Sequence, residues 1–156
     1  MEWIKSRFQT DDILDTPATP LYSFSSWMYS IVGLYFLYTY SYNSLYEGHF
    51  TDSLLLILQG YLSYLGDVKY FMHYSKVIDK IFAICFTIRF ITMHFLQQDL
   101  LLDTVFVITL PTGMYCYYHS NKANISRNYK DYIYWHTLWH FTFPSGIFVW
   151  INLKES

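Results

Sequence analysis

Apolar stretches separated by short polar segments recur along the chain and determine its predicted architecture. Five of them are candidate membrane-spanning helices, at residues 22–44, 53–68, 78–96, 100–118 and 132–153. The hydrocarbon core of a bilayer is about 30 Å thick and takes a helix of about 20 mostly apolar residues. No run alternates with the period of a barrel strand. We therefore predict an all-α fold, a polytopic transmembrane helical bundle of about five spans.

The composition supports a membrane protein. Hydrophobic residues make up 53% of the 156 residues and charged residues 14%, whereas soluble domains are about 25% charged. Residues 1–21 are predicted as a polar N-terminal segment and residues 22–153 as the transmembrane helical domain. That segment mixes acidic and basic residues, which is unlike a secretory signal or a mitochondrial presequence. The net charge of −2 gives no reason to expect nucleic acid as a partner.

Basic residues flank the predicted spans unequally. With five alternating spans, the N-terminal segment and the second-to-third and fourth-to-fifth connections share one side. That side contains eight basic residues: Lys5, Arg7, Lys69, Lys76, Lys80, Lys122, Arg127 and Lys130. The opposite side contains Lys154. Because basic loops stay on the cytosolic or matrix side, we expect the N-terminus there, in the mitochondrial inner membrane or in the ER or Golgi.

Polar residues inside the predicted spans are candidate site residues, because ionisable groups are costly in a bilayer. Ser63 and Asp67 are four residues apart, as are His136 and His140, so each pair lies on one helix face. Under five alternating spans both pairs and Asp79 lie at the same leaflet. Arg89, inside the third span, is expected to pair with Asp103 or His94.

His136 and His140 have the spacing with which two imidazoles on a helix bind one zinc ion. Two other interpretations stay open. The histidines are also typical of the aromatic-rich membrane interface, and a carboxylate near a helix end, such as Asp67 or Asp79, can reach headgroup water or stabilise the helix N-terminus.

The segment 134–140, Tyr-Trp-His-Thr-Leu-Trp-His, resembles the last helix of the CREST superfamily, which includes the alkaline ceramidases. Ser63 and Asp79 resemble that family's Ser and Asp on its second and third helices. The resemblance implies a reduced ceramidase-like bundle with Zn²⁺ held by Asp67, His136 and His140, and with Ser63 and Asp79 as catalytic residues. Two features depart from the family: it usually has seven spans, and it has His where this chain has Asp67.

Two functions follow from this resemblance. The first is a structural accessory subunit of a larger membrane complex, such as a mitochondrial respiratory assembly, because the missing spans and the changed ligand suggest loss of an ancestral site. The alternative is a zinc-dependent membrane hydrolase that cleaves a lipid amide or ester, in which the metal activates water. Either function implies the lipid bilayer as a partner, and the first implies other membrane-protein subunits.

Overall fold

A computed structural model describes residues 19–41, 47–69, 73–97 and 100–154 of the chain. Within these ranges the chain is helical and contains no strand, so the predicted all-α class is confirmed. The elements are α1 (Pro20–Ser26), α2 (Met28–Ser41), α3 (Glu47–Tyr64), a π-helix (Leu65–Lys69), α4 (His73–Gln97), α5 (Leu100–Ile125) and α6 (Tyr129–Lys154). Most of the predicted polar N-terminal segment, residues 1–18, lies outside the described residues.

Each of the five predicted spans corresponds to helix in the described residues, although the first is interrupted and its residues 42–44 lie outside them. Thr19 caps α1 by accepting a hydrogen bond of 3.2 Å from the Tyr22 N–H, and Pro20 occupies the first turn, where its missing N–H costs nothing. The helix stops at Trp27, and α2 begins at the next residue. The region predicted as span 22–44 therefore contains a short helix followed by a longer one.

Membrane-crossing capacity differs among the helices. Among those that the structure describes, α5 is the one that is long and apolar enough by itself to cross a membrane, and residues 28–39 of α2 form a shorter apolar helix. The other helices contain more polar and charged positions. The five-span arrangement stays a prediction.

Helices α5 and α6 form an antiparallel hairpin with the most extensive helix–helix contact of the described residues. The hairpin turns at Arg127, whose φ of 55° lies in the left-handed region, and the Asn128 N–H bonds back to the Ala123 carbonyl at 2.9 Å. Asn128 then caps α6, because its side-chain oxygen accepts from the Asp131 N–H at 3.3 Å. This tight turn places the first turns of α6 beside the last turns of α5.

Helices α2 and α3 approach each other closely at two glycines. A Cβ on Gly33 would lie 2.8 Å from the Ser53 carbonyl oxygen, and one on Gly60 would lie 2.5 Å from the Ser30 backbone nitrogen. Small residues at helix contacts are typical of membrane bundles, where they allow backbones to pack closely. The contact holds α3 against α2, which in turn packs on α6.

The π-helix at the end of α3 carries Asp67. Helix α4 begins at His73 and packs against this π-helix: a Cβ on Gly66 would lie 3.5 Å from Asp79 Cβ. Asp79 is therefore more than one turn inside α4, not at the start of the helix as the predicted span 78–96 implied. Further along α4, the Arg89 Nε–H donates to Asp52 Oδ1 on α3, so Asp52 is a partner that the sequence analysis did not consider.

Polarity is distributed in an unusual way between the inside and the outside of the bundle. Several serines are almost completely buried, namely Ser25, Ser26, Ser30, Ser53, Ser63 and Ser120. Large apolar side chains on all six α-helices are more than half exposed, for example Leu34, Ile84, Val107 and Ile108. A soluble domain buries such residues and exposes its polar ones. Apolar side chains therefore cover much of the outer surface, and polar groups lie within the bundle.

Candidate metal centre

Three side chains from two elements converge inside the bundle. His136 and His140 lie one turn apart on α6, and Asp67 faces them from the π-helix. Asp67 Oδ2 lies 3.4 Å from His136 Nε2 and 3.2 Å from His140 Nε2. The three candidate ligand atoms lie within 4.8 Å of one another, and together they form a group that could hold a metal ion.

The burial of this group favours a bound cation. Asp67 is 7% exposed and His140 is 2% exposed. Asp67 Oδ2 is completely buried, and among the described residues it has no hydrogen-bond partner of acceptable geometry. A buried carboxylate oxygen without a partner is costly. A metal ion between the three atoms would remove this cost.

Two of the three separations between the candidate ligand atoms also fit zinc. Tetrahedral Zn²⁺ with nitrogen and oxygen ligands at about 2.0–2.2 Å has ligand–ligand separations of about 3.3–3.5 Å. The two carboxylate–imidazole distances, 3.4 and 3.2 Å, lie close to that range. Two imidazoles and one carboxylate are the protein ligands of several catalytic zinc sites, which leave a fourth position open. The donor set therefore fits the zinc ion that the sequence analysis expected.

The second ring nitrogen of each histidine meets a serine hydroxyl. His136 Nδ1 lies 3.0 Å from Ser120 Oγ on α5, and His140 Nδ1 lies 3.4 Å from Ser25 Oγ on α1. Ser25 and Ser120 are 0% and 2% exposed. Metal-binding histidines commonly use their second nitrogen in this way, which fixes the orientation of the ring. Neither serine was identified from the sequence.

Ser63 and Asp79 form a second polar group next to the first. Ser63 Oγ donates to Asp79 Oδ1 at 2.7 Å, and Gln59 Nε2 donates to the same oxygen at 2.7 Å. Gln59 Nε2 also lies 3.0 Å from Ser63 Oγ. The Asp79 carboxylate is therefore held against α3 by two donors one turn apart.

Gln59 is a site residue that the sequence analysis missed. It is 3% exposed, and it precedes Ser63 by the same four-residue spacing that separates Ser63 from Asp67. Gln59 lies in an apolar stretch, on the helix face that it shares with Ser63 and Asp67, and this position was the signal that could have identified it. Its Oε1 is buried, and in the part of the chain that the structure describes this oxygen has no hydrogen-bond partner.

Aromatic rings enclose the histidines on the side of α1 and α2. Tyr22, which is 2% exposed, stacks on His140 with ring centroids 6.3 Å apart and an angle of 17°, and it lies 5.8 Å from the His136 ring. Tyr29 meets His140 edge-on at 6.4 Å. These rings exclude water from one side of the group, which strengthens electrostatic interactions there.

A small cavity of about 20 Å³ lies deeper in the bundle, between α2, α3, α4, α5 and α6. Tyr29 and Gln59 line it on the side of the site, and its remaining wall is mainly apolar, with Phe86, Trp139 and Phe143 among its residues. This volume is sufficient for a water molecule. The polar group around Asp79 therefore borders this cavity through Gln59.

The five predicted site residues thus lie in two adjoining groups. Asp67, His136 and His140 form the candidate metal group, and Ser63 with Asp79 forms the hydrogen-bonded group. A metal ion in the first group could act as a Lewis acid, and a carboxylate such as Asp79 could accept a proton. Comparison of the chain with protein-family models, with curated proteins and with solved structures finds no match.

Proposed function

We propose that the chain is an integral membrane protein of five spans with one Zn²⁺ site, and that it hydrolyses a lipid amide or ester. The observation that carries this proposal is the convergence of His136 Nε2 and His140 Nε2 on the buried Asp67 Oδ2. That arrangement lies beside a Ser63–Asp79 hydrogen bond. Together these groups provide metal ligands, a proton acceptor and a hydroxyl donor in one place.

The membrane placement is supported by the surface and the interior of the bundle. Exposed apolar side chains on α2, α4 and α5 would contact lipid, as with Leu34, Ile84 and Ile108. Buried serines and close glycine contacts are typical of helix packing in a bilayer. The exposed basic residues at the α5–α6 turn, Lys122 and Arg127, support an orientation with that end on the matrix or cytosolic side. The membrane would be the mitochondrial inner membrane or that of the ER or Golgi.

The proposed activity assigns a task to each group. Asp67, His136 and His140 would hold the ion and occupy three of its four ligand positions. Zn²⁺ bound there would polarise a scissile carbonyl and make water a better nucleophile. Asp79 accepts a proton during the reaction, and Gln59 and Ser63 hold its carboxylate in place. The resemblance to the ceramidase-like CREST proteins supports a lipid substrate.

Metal analysis of the purified full chain tests the site. We expect about one zinc per chain, and loss of that zinc in His136→Ala. His119→Ala is a matched control, because His119 is a half-buried histidine on α5 that stacks on Trp135 with centroids 4.7 Å apart. It should keep its zinc. Absence of zinc from the unmodified protein, or equal loss in both variants, would contradict the proposal.

Lipid hydrolysis by the purified protein tests the activity. Unmodified protein in lipid micelles should release fatty acid from a lipid amide or a lipid ester, and the release should stop with a zinc chelator and return with added Zn²⁺. Asp79→Asn should keep its zinc and lose the release. Zinc-loaded protein that is inactive on both lipid classes would contradict the hydrolase.

A second candidate function is the accessory subunit of a membrane complex, and the outer face of α4 favours it. The Arg89 side chain is 41% exposed although it lies well inside α4, and a charged group that faces hydrocarbon is costly. A neighbouring subunit would cover it. Native gel migration in mild detergent decides: a complex much larger than the 18.8 kDa chain supports this function, and an isolated chain contradicts it.

A further inference from the structure

We propose that Ser25 and Ser120 are positioning residues of the metal centre: each accepts the Nδ1–H of one histidine, so that both Nε2 atoms turn towards Asp67 as bare ligand nitrogens. This inference rests on the proposed metal site. It concerns the tautomers of His140 and His136, which can be measured in the protein without metal. The two serines come from α1 and α5, so they would connect these helices to the centre.

The hydrogen bonds of Ser25 determine the tautomer of His140. A hydroxyl has one proton, and Ser25 donates it to the Tyr22 carbonyl at 2.7 Å. Towards His140 Nδ1, at 3.4 Å, Ser25 Oγ can therefore only accept. An accepting oxygen requires a proton on Nδ1. In the neutral ring the other nitrogen, Nε2, then carries the lone pair.

In that tautomer the lone pair of His140 Nε2 lies beside the Asp67 carboxylate. His140 Nε2 lies 3.2 Å from Asp67 Oδ2, but no hydrogen bond of acceptable geometry joins them among the described residues. A lone pair on Nε2 and a carboxylate oxygen repel each other. A cation between them converts this repulsion into two ligand bonds, which is the arrangement of a metal site.

His136 has the same orientation. Its Nδ1 lies 3.0 Å from Ser120 Oγ, and its Nε2 lies 3.4 Å from the same Asp67 oxygen. A proton on Nδ1 that is donated to Ser120 Oγ leaves the lone pair of Nε2 on the side of Asp67 Oδ2, in parallel with His140. We therefore assign the proton of His136 to Nδ1 and the acceptor role to Ser120.

Nitrogen NMR of the metal-free full chain in detergent tests the assignment directly. With ¹⁵N-labelled histidine in slightly alkaline buffer, His140 and His136 should both show the Nδ1–H tautomer, in contrast to free neutral histidine, which mostly carries its proton on Nε2. Ser25→Ala should shift His140 towards the Nε2–H tautomer and leave His136 unchanged. An Nε2–H tautomer for either histidine in the unmodified protein would overturn the proposal.

Zinc competition with a chelator gives a second readout. Ser25→Ala and Ser120→Ala should each weaken zinc binding by about 10- to 100-fold, as loss of a second partner of a ligating histidine does. Ser26→Ala is the matched control, because Ser26 is also 0% exposed and contacts the Tyr22 carbonyl but no histidine. It should bind zinc as the unmodified protein does, and equal affinities in all three variants would contradict the inference.

The two proposals can fail separately. Unmodified protein that binds no zinc would contradict the metal site, while the tautomers of His136 and His140 would still decide the inference. If the protein binds zinc but its histidines show the Nε2–H tautomer before zinc is added, the metal site stands and the role of the serines is overturned. If Ser25→Ala does not fold, as circular dichroism would reveal, the NMR measurement on the unmodified chain still decides.

Discussion

Ser63 and Asp79 are joined by a hydrogen bond of 2.7 Å between Ser63 Oγ and Asp79 Oδ1, which connects α3 to α4 beside the candidate metal ligands. Gln59 adds a second donor to the same oxygen at 2.7 Å. Two donors on one carboxylate oxygen stabilise its charged form and restrict its rotation. The carboxylate is therefore already oriented before a substrate binds, which is what a proton acceptor requires.

Replacement of Asp79 should separate catalysis from metal binding. Asp79→Asn keeps the size of the side chain and removes its ability to take up a proton. We expect hydrolysis to fall by about 10²- to 10⁴-fold, the usual contribution of general acid–base catalysis, with the zinc content unchanged. Rates with the lipid substrate and metal analysis on the same sample check this. Loss of zinc from Asp79→Asn would instead indicate that Asp79 acts through the metal ligands.

The charge of the Asp67 side chain should contribute more to zinc affinity than its shape does. Asp67→Asn preserves the size of the side chain, but its neutral amide is a poorer zinc ligand, so zinc affinity should fall by at least about 100-fold, more than loss of an outer partner costs. Asp67→His should retain about one zinc per chain, because imidazole is a good zinc ligand. Chelator competition measures both affinities. If Asp67→Asn bound zinc like the unmodified protein, Asp67 would not be a ligand.

The contact of α2 with α3 should not tolerate a side chain at Gly60. Its added Cβ would lie 2.5 Å from the Ser30 backbone nitrogen, which forces the helices apart. We expect Gly60→Ala to destabilise the fold by about 1–3 kcal/mol, the usual cost of overpacking. Gly66→Ala is the control, because its nearest neighbour would lie at an ordinary 3.4 Å. Thermal unfolding in detergent should show a lower midpoint for Gly60→Ala than for Gly66→Ala.

Asp52 and Arg89 should be energetically coupled. Asp52→Asn removes the charge that Arg89 pairs with, and Arg89→Gln removes the charge that needs a partner. The double variant should therefore lose less stability than the sum of the single variants, by about 0.5–1 kcal/mol, the usual coupling of a partly exposed ion pair. Unfolding of all four proteins gives the coupling free energy. Additive effects would indicate that the pair contributes nothing.

Labelling from each side of a sealed vesicle should test the span arrangement. Leu100 at the start of α5 is 80% exposed, and Ser126 follows the end of the helix. In a chain with Cys85→Ser and Cys116→Ala, an impermeant thiol reagent should modify Leu100→Cys and Ser126→Cys from opposite sides. Phe50→Cys, near the start of α3, should react from the same side as Leu100→Cys. Reaction of all three from one side would contradict five spans.

Local sequence features were sufficient for the helices and for part of the site. Apolar stretches predicted helices where α3 to α6 occur, and the four-residue spacing of His136 and His140 places both rings on one face of α6, because helix geometry is local. The expectation that Asp67 and Asp79 lie at the same level also followed from the order of the helices. The fold class and these site residues could therefore be predicted from the sequence without knowledge of any tertiary contact.

The helical segments, their apolar character and the residues with metal and proton chemistry thus follow from the order of the amino acids alone. The tertiary structure decided how each helix is rotated about its axis, and therefore which partners meet. Gln59, Ser25 and Ser120 reach the site only through such rotations, and Arg89 meets Asp52 for the same reason. The π-helix that carries Asp67 was equally unpredictable, because it depends on how α3 packs against α4, and side-chain spacing along one helix contains no information about its neighbours.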